Sequence, residues 1–394
     1  MLMVDFSLAT AGLTTALPYE LNLPTVSGFT DGVAHVSAGG GSVCISGFVW
    51  VNASTDANVK FDYQLPSNQI DLTQTFVSLW SAGADFRSSI TTGFQLVGGD
   101  FRLGATLCLP PDYQASRIQV LTHGIGFDRR YWDLAPGYSY VDSASQAGYA
   151  TFLYDRLGVG ESSIEDPLNT IQSPIELAIL EGLLAKLRSG ALGVTSYDTV
   201  VGVGHSFGSA LTQGVAAAAP SLLDAVVLTG FSVNASGMPA FSLGQNAVLA
   251  SINEPERFGN LSSGFVVIGT AVSNQNTFFH SPGFDPALLA LADHVKGTVT
   301  LGEFFTTGAT IKPAMNYSGP VVVVAGNEDL GFCSGNCSYP TNLLAEVPVT
   351  LFPNTASNRT STYRAADSGH GLNFHYSSVE AFEHIQQFLK TQGV

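Results

Sequence analysis

Ser206 sits in the run Gly204-His205-Ser206-Phe207-Gly208, a pattern in which a hydroxyl can serve as a nucleophile. Serine is a weak nucleophile alone. It needs a base to take its proton, a group to orient that base, and donors to hold the oxyanion formed on attack at a carbonyl. The run follows the apolar stretch Thr199–Val203 and precedes helix-favouring residues that begin near Phe207. Glycines on both sides permit the tight strand-to-helix turn that would present the hydroxyl, and a helix N-terminus favours negative charge beside it. Outside that setting the same glycines would make an ordinary turn.

A base is available late in the chain. His370 lies in Asp367-Ser368-Gly369-His370-Gly371, whose glycines leave the loop free to bring an imidazole to Ser206. His375 is the alternative, beside the start of a C-terminal helix. His205 belongs to the turn itself and should face away from the hydroxyl. His384 falls within a predicted helix, and His35, His280 and His294 lie before the turn or in the segment after it. Activity is expected to rise with pH as the base becomes neutral, near ~6.5 for an unperturbed imidazole.

The ordered motifs His123-Gly124, Asp155-Arg156-Leu157-Gly158-Val159-Gly160, Gly204–Gly208, Asp329 and His370 resemble those of the α/β-hydrolase family, over about residues 118–390. Within it the chain is similar to secreted fungal members with an N-terminal extension. Their acid loop precedes a close cysteine pair, as Gly326–Cys333 does here. The resemblance implies the chain order Ser, acid, His. Asp329 follows the apolar stretch Val321–Ala325, where the acid is expected, with Glu328 as the neighbouring competitor. The oxyanion donors are then the backbone N–H of Phe207 and one from His123-Gly124-Ile125-Gly126, with Ile125 preferred to Gly126. His123 reads as a structural residue of that loop. Asp155 and Arg156 are expected to pair with each other in a tight loop.

These residues need a scaffold. Ile118–Thr122, Ala150–Tyr154, Thr199–Val203, Ala225–Leu228, Val321–Ala325 and Val349–Phe352 read as short buried strands. Tyr140–Ala147, Pro174–Leu187, Phe207–Ala218 and Ser378–Lys390 read as helices between or after them. Such alternation implies a mostly parallel central sheet covered by helices on both faces. That is an α/β class chain of the α/β-hydrolase fold. Residues 1–110 read as turns and short strands, including Val43–Val51 and Phe101–Leu109, and form an N-terminal β-rich extension with antiparallel edge strands. Residues 111–230 and 319–394 form the catalytic domain. Residues 231–318 break the alternation and form an inserted cap whose phenylalanines mostly make its own core, with one or two lining a pocket.

The bulk composition excludes several functions. Of 394 residues, 45% are hydrophobic and 12% charged, which suits a folded core rather than disorder. A net charge of −16 repels nucleic-acid phosphates, so no nucleic-acid partner is expected. No apolar stretch reaches the ~20 residues that cross a bilayer. Residues 1–17 are apolar but interrupted by Asp5, with no basic residue before them, so a native signal peptide is not evident. Sequons at Asn52, Asn234, Asn260, Asn316, Asn336 and Asn358 nevertheless point to a secreted glycoprotein. Cys333 and Cys337 bracket a short turn and could close it, leaving Cys44 with Cys108; the alternative is four buried free thiols.

The expected activity is that of a serine hydrolase cleaving a carboxylic ester or lactone of a small, apolar substrate through an acyl-enzyme. No metal or organic cofactor is expected. The same residues could serve a transacylase, a carbon–carbon bond hydrolase or a lyase, or be retained in a non-catalytic binding protein.

Overall fold

Runs of valine, leucine and glycine without charge form the middle of a nine-stranded sheet in the computed structural model, which describes residues 24–83 and 85–394. The strands, in chain order, are β1 Phe29–Val36, β2 Val43–Phe61, β3 Thr91–Leu109, β4 Arg117–Thr122, β5 Ala150–Tyr154, β6 Thr199–His205, β7 Ala225–Thr229, β8 Val248–Leu249, β9 Phe265–Val267, β10 Val299–Thr300, β11 Val321–Gly326 and β12 Thr360–Ala365. The main sheet runs β1-β2-β3-β5-β4-β6-β7-β11-β12, and β8, β9 and β10 form a separate small sheet. From β5 to β12 all neighbours are parallel, whereas β1, β2, β3 and β5 pair antiparallel. The possible leader at residues 1–17 lies outside the described residues.

Alternate residues of the central strands enter different cores. Val321 and Val323 pack with one apolar cluster, Val322 and Val324 with the other, so both faces are covered. On one face the helix Ser173–Ser189 buries Ile175, Ile179, Leu180, Leu183, Leu184 and Leu187. Each such side chain contributes about 1.5–3 kcal/mol when removed from water. Pro174 sits in its first turn, and Gly190 ends it at φ 73°, a conformation that costs glycine little. On the other face the helix Ser378–Thr391 buries Ala381, Phe382, Ile385 and Leu389, with Phe382 edge-on to Tyr140.

Two expectations need correction. Val349–Phe352 is not a strand: Glu346–Leu351 is a helix, and the last strand is Thr360–Ala365. Val347 and Leu351, four residues apart, are buried while Val349 is 76% exposed, which is a helical face and not an alternating one. The true strand is a half-exposed edge of polar residues, so it lacks the apolar run that marks buried strands. The N-terminal region is also more than turns and short strands. It contains the helices Gln69–Trp80 and Phe86–Ile90, and β2 and β3 are each 19 residues long. Leu72, Phe76 and Leu79 form the buried helical stripe, and Asn68 caps it by accepting from the N–H groups of Ile70 and Asp71.

The segment between β7 and β11 folds into short helices around the small sheet. Its helix Leu301–Thr306 begins with a capping box between Thr300 and Glu303. Both disulfides are formed. Cys44–Cys108 joins directly paired positions of β2 and β3, and Cys333–Cys337 closes the turn after β11. The Cys44–Cys108 bridge spans 64 residues of chain and restricts the unfolded state accordingly. A Cys44→Ala/Cys108→Ala variant should lose about 2–4 kcal/mol of unfolding free energy in a denaturant titration. An unchanged midpoint would mean that strand pairing alone holds this edge.

Candidate active site

The strand β6 ends at His205 and the helix Phe207–Ala218 starts two residues later, leaving Ser206 alone at the corner. Ser206 has φ 54° and ψ −115°, a conformation that costs a side-chain-bearing residue about 1–3 kcal/mol. Close packing holds it there. A Cβ on Gly204 would lie 2.3 Å from the carbonyl oxygen of Gly208, and one on Gly208 would lie 2.0 Å from that of Thr122. Only glycine lets β4, β6 and the helix approach this closely. The Ser206 N–H donates to the Thr229 carbonyl at 2.9 Å, which ties the corner to β7.

The loop after β12 brings His370 over the corner. Its Nε2 is 2.8 Å from Ser206 Oγ and its Nδ1 is 2.7 Å from Asp329 Oδ2. With the proton on Nδ1 donated to the carboxylate, Nε2 is free to accept from the serine hydroxyl. The other Asp329 oxygen accepts the Phe332 N–H at 2.9 Å, so the acid cannot swing away. His370 and Asp329 are buried, and Ser206 is 8% exposed. Glu328 faces elsewhere and accepts the N–H of Ser368. His375 also stays off the serine: its Nε2 accepts the N–H groups of His280 and Gly369, bracing the loop, and burial pushes its pKa down to about 4. His205 stacks on Tyr131 with ring centroids 4.3 Å apart, and burial holds it well below the usual imidazole range.

Two backbone segments stand next to Ser206. The N–H of Phe207 opens a helix and has no acceptor one turn earlier. The loop after β4 stands against Ser206, since a Cβ on Gly124 would lie 3.0 Å from Ser206 Cβ. The Gly124 carbonyl accepts from His123 Nδ1 at 2.8 Å and from Arg156 Nη2 at 3.3 Å. A planar trans peptide then points the Ile125 N–H the opposite way. His123 Nε2 accepts the Arg156 N–H, and burial, followed by the Arg156 charge, holds His123 well below its usual pKa.

Arg156 does not pair with Asp155. Successive residues leaving an extended strand point to opposite sides. Asp155 pairs with Arg129, while fully buried Arg156 pairs with Glu303 of the inserted segment and lies 4.0 Å from Glu176. Its guanidinium also covers the Phe207 ring, 4.7 Å from the centroid. Arg156 thus touches Phe207, directly after Ser206, and the Gly124 carbonyl in the loop after β4. Its spacing to Glu303 is 147 residues, and no local pattern could have revealed it.

Ser206 opens on a cavity of about 270 Å³, sized for a small molecule. Phe241, Phe278 and Phe332 surround His370 at centroid distances of 4.7, 5.3 and 5.7 Å. Of the inserted segment's aromatics, Phe231, Phe241, Phe278 and Phe304 line the cavity, more than the one or two expected, whereas Phe265 and Phe305 pack in the core away from it. Trp80 and Arg87, from the unexpected N-terminal helices, line it too. The spacing of Leu72, Phe76 and Leu79 is the signal that would have found the first of those helices. Among the described residues, no group of three or more His, Cys, Asp or Glu side chains is placed to hold a metal ion, and no helix is long and apolar enough to cross a membrane. Asn52, Asn260, Asn316, Asn336 and Asn358 are exposed, while Asn234 is half-buried.

Residues 119–383 match the sequence profile of the Alpha/beta hydrolase family. The chain belongs to this family. No curated protein matches this alpha/beta hydrolase in sequence. Among solved structures it is similar to a thermophilic esterase from Thermogutta terrifontis, at 14% identity and a TM-score of 0.50, over 75% of this chain and 96% of that one. It is also similar to a soluble variant of monoglyceride lipase from Saccharomyces cerevisiae, at 14% identity and a TM-score of 0.51, over 74% of this chain and 92% of that one. At such identity the likeness is one of fold.

The buried cluster beneath the site has a pH signature. Burial raises Glu176 from 4.5 to about 8, against the pull of Arg156. Between those values the folded protein keeps a proton that the unfolded chain releases, so this group's contribution to stability falls as pH rises. Glu176→Gln should therefore gain stability relative to the parent protein between pH 5 and 8.5 in paired urea titrations. A parallel pH dependence of the two proteins would contradict the raised value.

Proposed function

We propose that this alpha/beta hydrolase is a serine hydrolase that cleaves a carboxylic ester or lactone of a small, apolar substrate through an acyl-enzyme. The observation that carries this reading is the unbroken Asp329–His370–Ser206 hydrogen-bonded chain with its serine facing an apolar cavity. Ser206 Oγ attacks the carbonyl carbon as His370 Nε2 takes its proton. Asp329 holds the imidazole and stabilises its charged form. The N–H groups of Phe207 and Ile125 bind the oxyanion, each contributing about 3 kcal/mol to the transition state. His370 then protonates the leaving alkoxide. A water passes a proton to His370 and attacks the acyl carbon, and the acid departs as Ser206 regains its proton. These side chains and backbone groups are the whole of the machinery invoked, so the reading calls for no cofactor.

Residues 231–318 act in this reading as a cap over the catalytic portion, 111–230 and 319–394, with 1–110 packed on it as an extension. The two disulfides and five exposed sequons support an extracellular glycoprotein.

Ser206→Ala should lower kcat for an activated ester by about six orders of magnitude. Asp329→Asn should lower it about 10⁴-fold, while Glu328→Gln stays near the parent value. Near-normal turnover by a pure Ser206→Ala preparation, or a larger loss at Glu328 than at Asp329, would overturn these assignments.

A further inference from the structure

Among the described residues, the lining of the cavity at Ser206 contains one charged side chain, Arg87, and no carboxylate. Everything around it is apolar or weakly polar, including Trp80 and Phe304. Arg87 is half-buried, and among the described residues it has no acidic partner. It donates to the Phe304 carbonyl from Nη2 at 3.4 Å and lies over the Trp80 ring at 5.2 Å. Neither contact neutralises a cation. Its Nε and the Trp80 Nε1 are buried donors without an acceptor, and the buried hydroxyl of Ser242 in the same lining is also unpaired. Buried donors are almost always satisfied in folded proteins, and an exception calls for a missing partner. The chain has about twice as many acidic as basic residues, 31 against 15, yet none of the described acidic residues lines this cavity.

Arg87 and Trp80 line one apolar cavity, and a guanidinium with an unpaired indole N–H beside it matches a planar anion that can accept from both. The partners of Arg87 are Trp80 and Phe304, whereas Phe241, Phe278 and Phe332 surround His370. Arg87 and His370 thus contact different side chains of the same cavity lining.

We propose that Arg87 and Trp80 form a carboxylate-binding site within the substrate cavity, and that the substrate is an ester bearing a free carboxylate at the end of an apolar chain. This deepens the serine hydrolase reading and rests on it. A neutral ester would leave the Arg87 charge without a counter-ion and the Arg87 Nε and Trp80 Nε1 donors unpaired, and so should bind less well.

The test compares 4-nitrophenyl monoesters of linear dicarboxylic acids with 4-nitrophenyl esters of monocarboxylic acids of equal length. A second arm carries the carboxylate on the alcohol side. In one arm, kcat/KM should favour the acidic ester by about tenfold or more, the size expected for a charge-assisted hydrogen bond. That ratio should fall towards unity in Arg87→Met, and fall in part in Trp80→Phe, which keeps the ring and loses the donor. Binding of adipate against the uncharged diamide adipamide, read by calorimetry on the full chain, needs no turnover and should show the same preference and the same loss. Equal kcat/KM for acidic and neutral esters in both arms, or a preference that survives Arg87→Met, would overturn the carboxylate site. Ser206-dependent cleavage of neutral esters without any acidic preference would leave the hydrolase reading standing. Arg87-dependent adipate binding without cleavage of any ester would leave the anion site standing alone.

Discussion

Three pieces of backbone meet at Ser206 in a space that admits no Cβ. The end of β4, the end of β6 and the first turn of the helix Phe207–Ala218 approach so closely that a methyl group on Gly204 or Gly208 would overlap main-chain atoms. That packing holds Ser206 at a positive φ and turns its hydroxyl out of the sheet. It also brings the Phe207 N–H beside the hydroxyl and sets Gly124 against it. Because β4 to β12 run parallel, the loops that follow β4, β6, β11 and β12 all open at one edge of the sheet. The loops carrying Asp329 and His370 therefore open at the same edge as the loop of Ile125, which lies more than two hundred residues earlier in the chain.

A buried charge cluster secures the far side of the same corner. Arg156 joins the Gly124 carbonyl, the Phe207 ring and Glu303 of the inserted segment, with Glu176 beside it on the helix Ser173–Ser189. Taking such charges out of water costs about as much as their attraction returns, so the cluster is weak evidence for stability. Losing one partner would cost about 3–5 kcal/mol and would also release the loop that carries Ile125. The inserted segment is thereby tied through Arg156 to the loop after β4, beyond lining the cavity.

Much of this was legible in the sequence because it is local. Gly204–Gly208 following an uncharged strand and preceding a helix identifies the corner, and the glycines around His370 identify its loop. Asp329 rather than Glu328 meets the imidazole, which the position just past β11 favoured. The missed features depend on distant contacts or weak patterns. Arg156 finds Glu303 rather than its neighbour Asp155, Thr360–Ala365 is a polar edge strand, and Val347 and Leu351 make a helical face from residues that favour strands. Trp80 and Arg87 reach the cavity from helices in a region dominated by long strands, where the short period of Leu72, Phe76 and Leu79 is easily overlooked.

Nucleophilic Ser206 is the claim on which the rest turns, and covalent labelling tests it without knowledge of the substrate. The folded protein is treated with a fluorophosphonate and digested, and the modified peptide is sequenced by mass spectrometry. Stoichiometric modification at Ser206, abolished in Ser206→Ala and strongly slowed in His370→Ala, is the expected result. An unlabelled folded protein, or labelling at another serine that persists in Ser206→Ala, would contradict it.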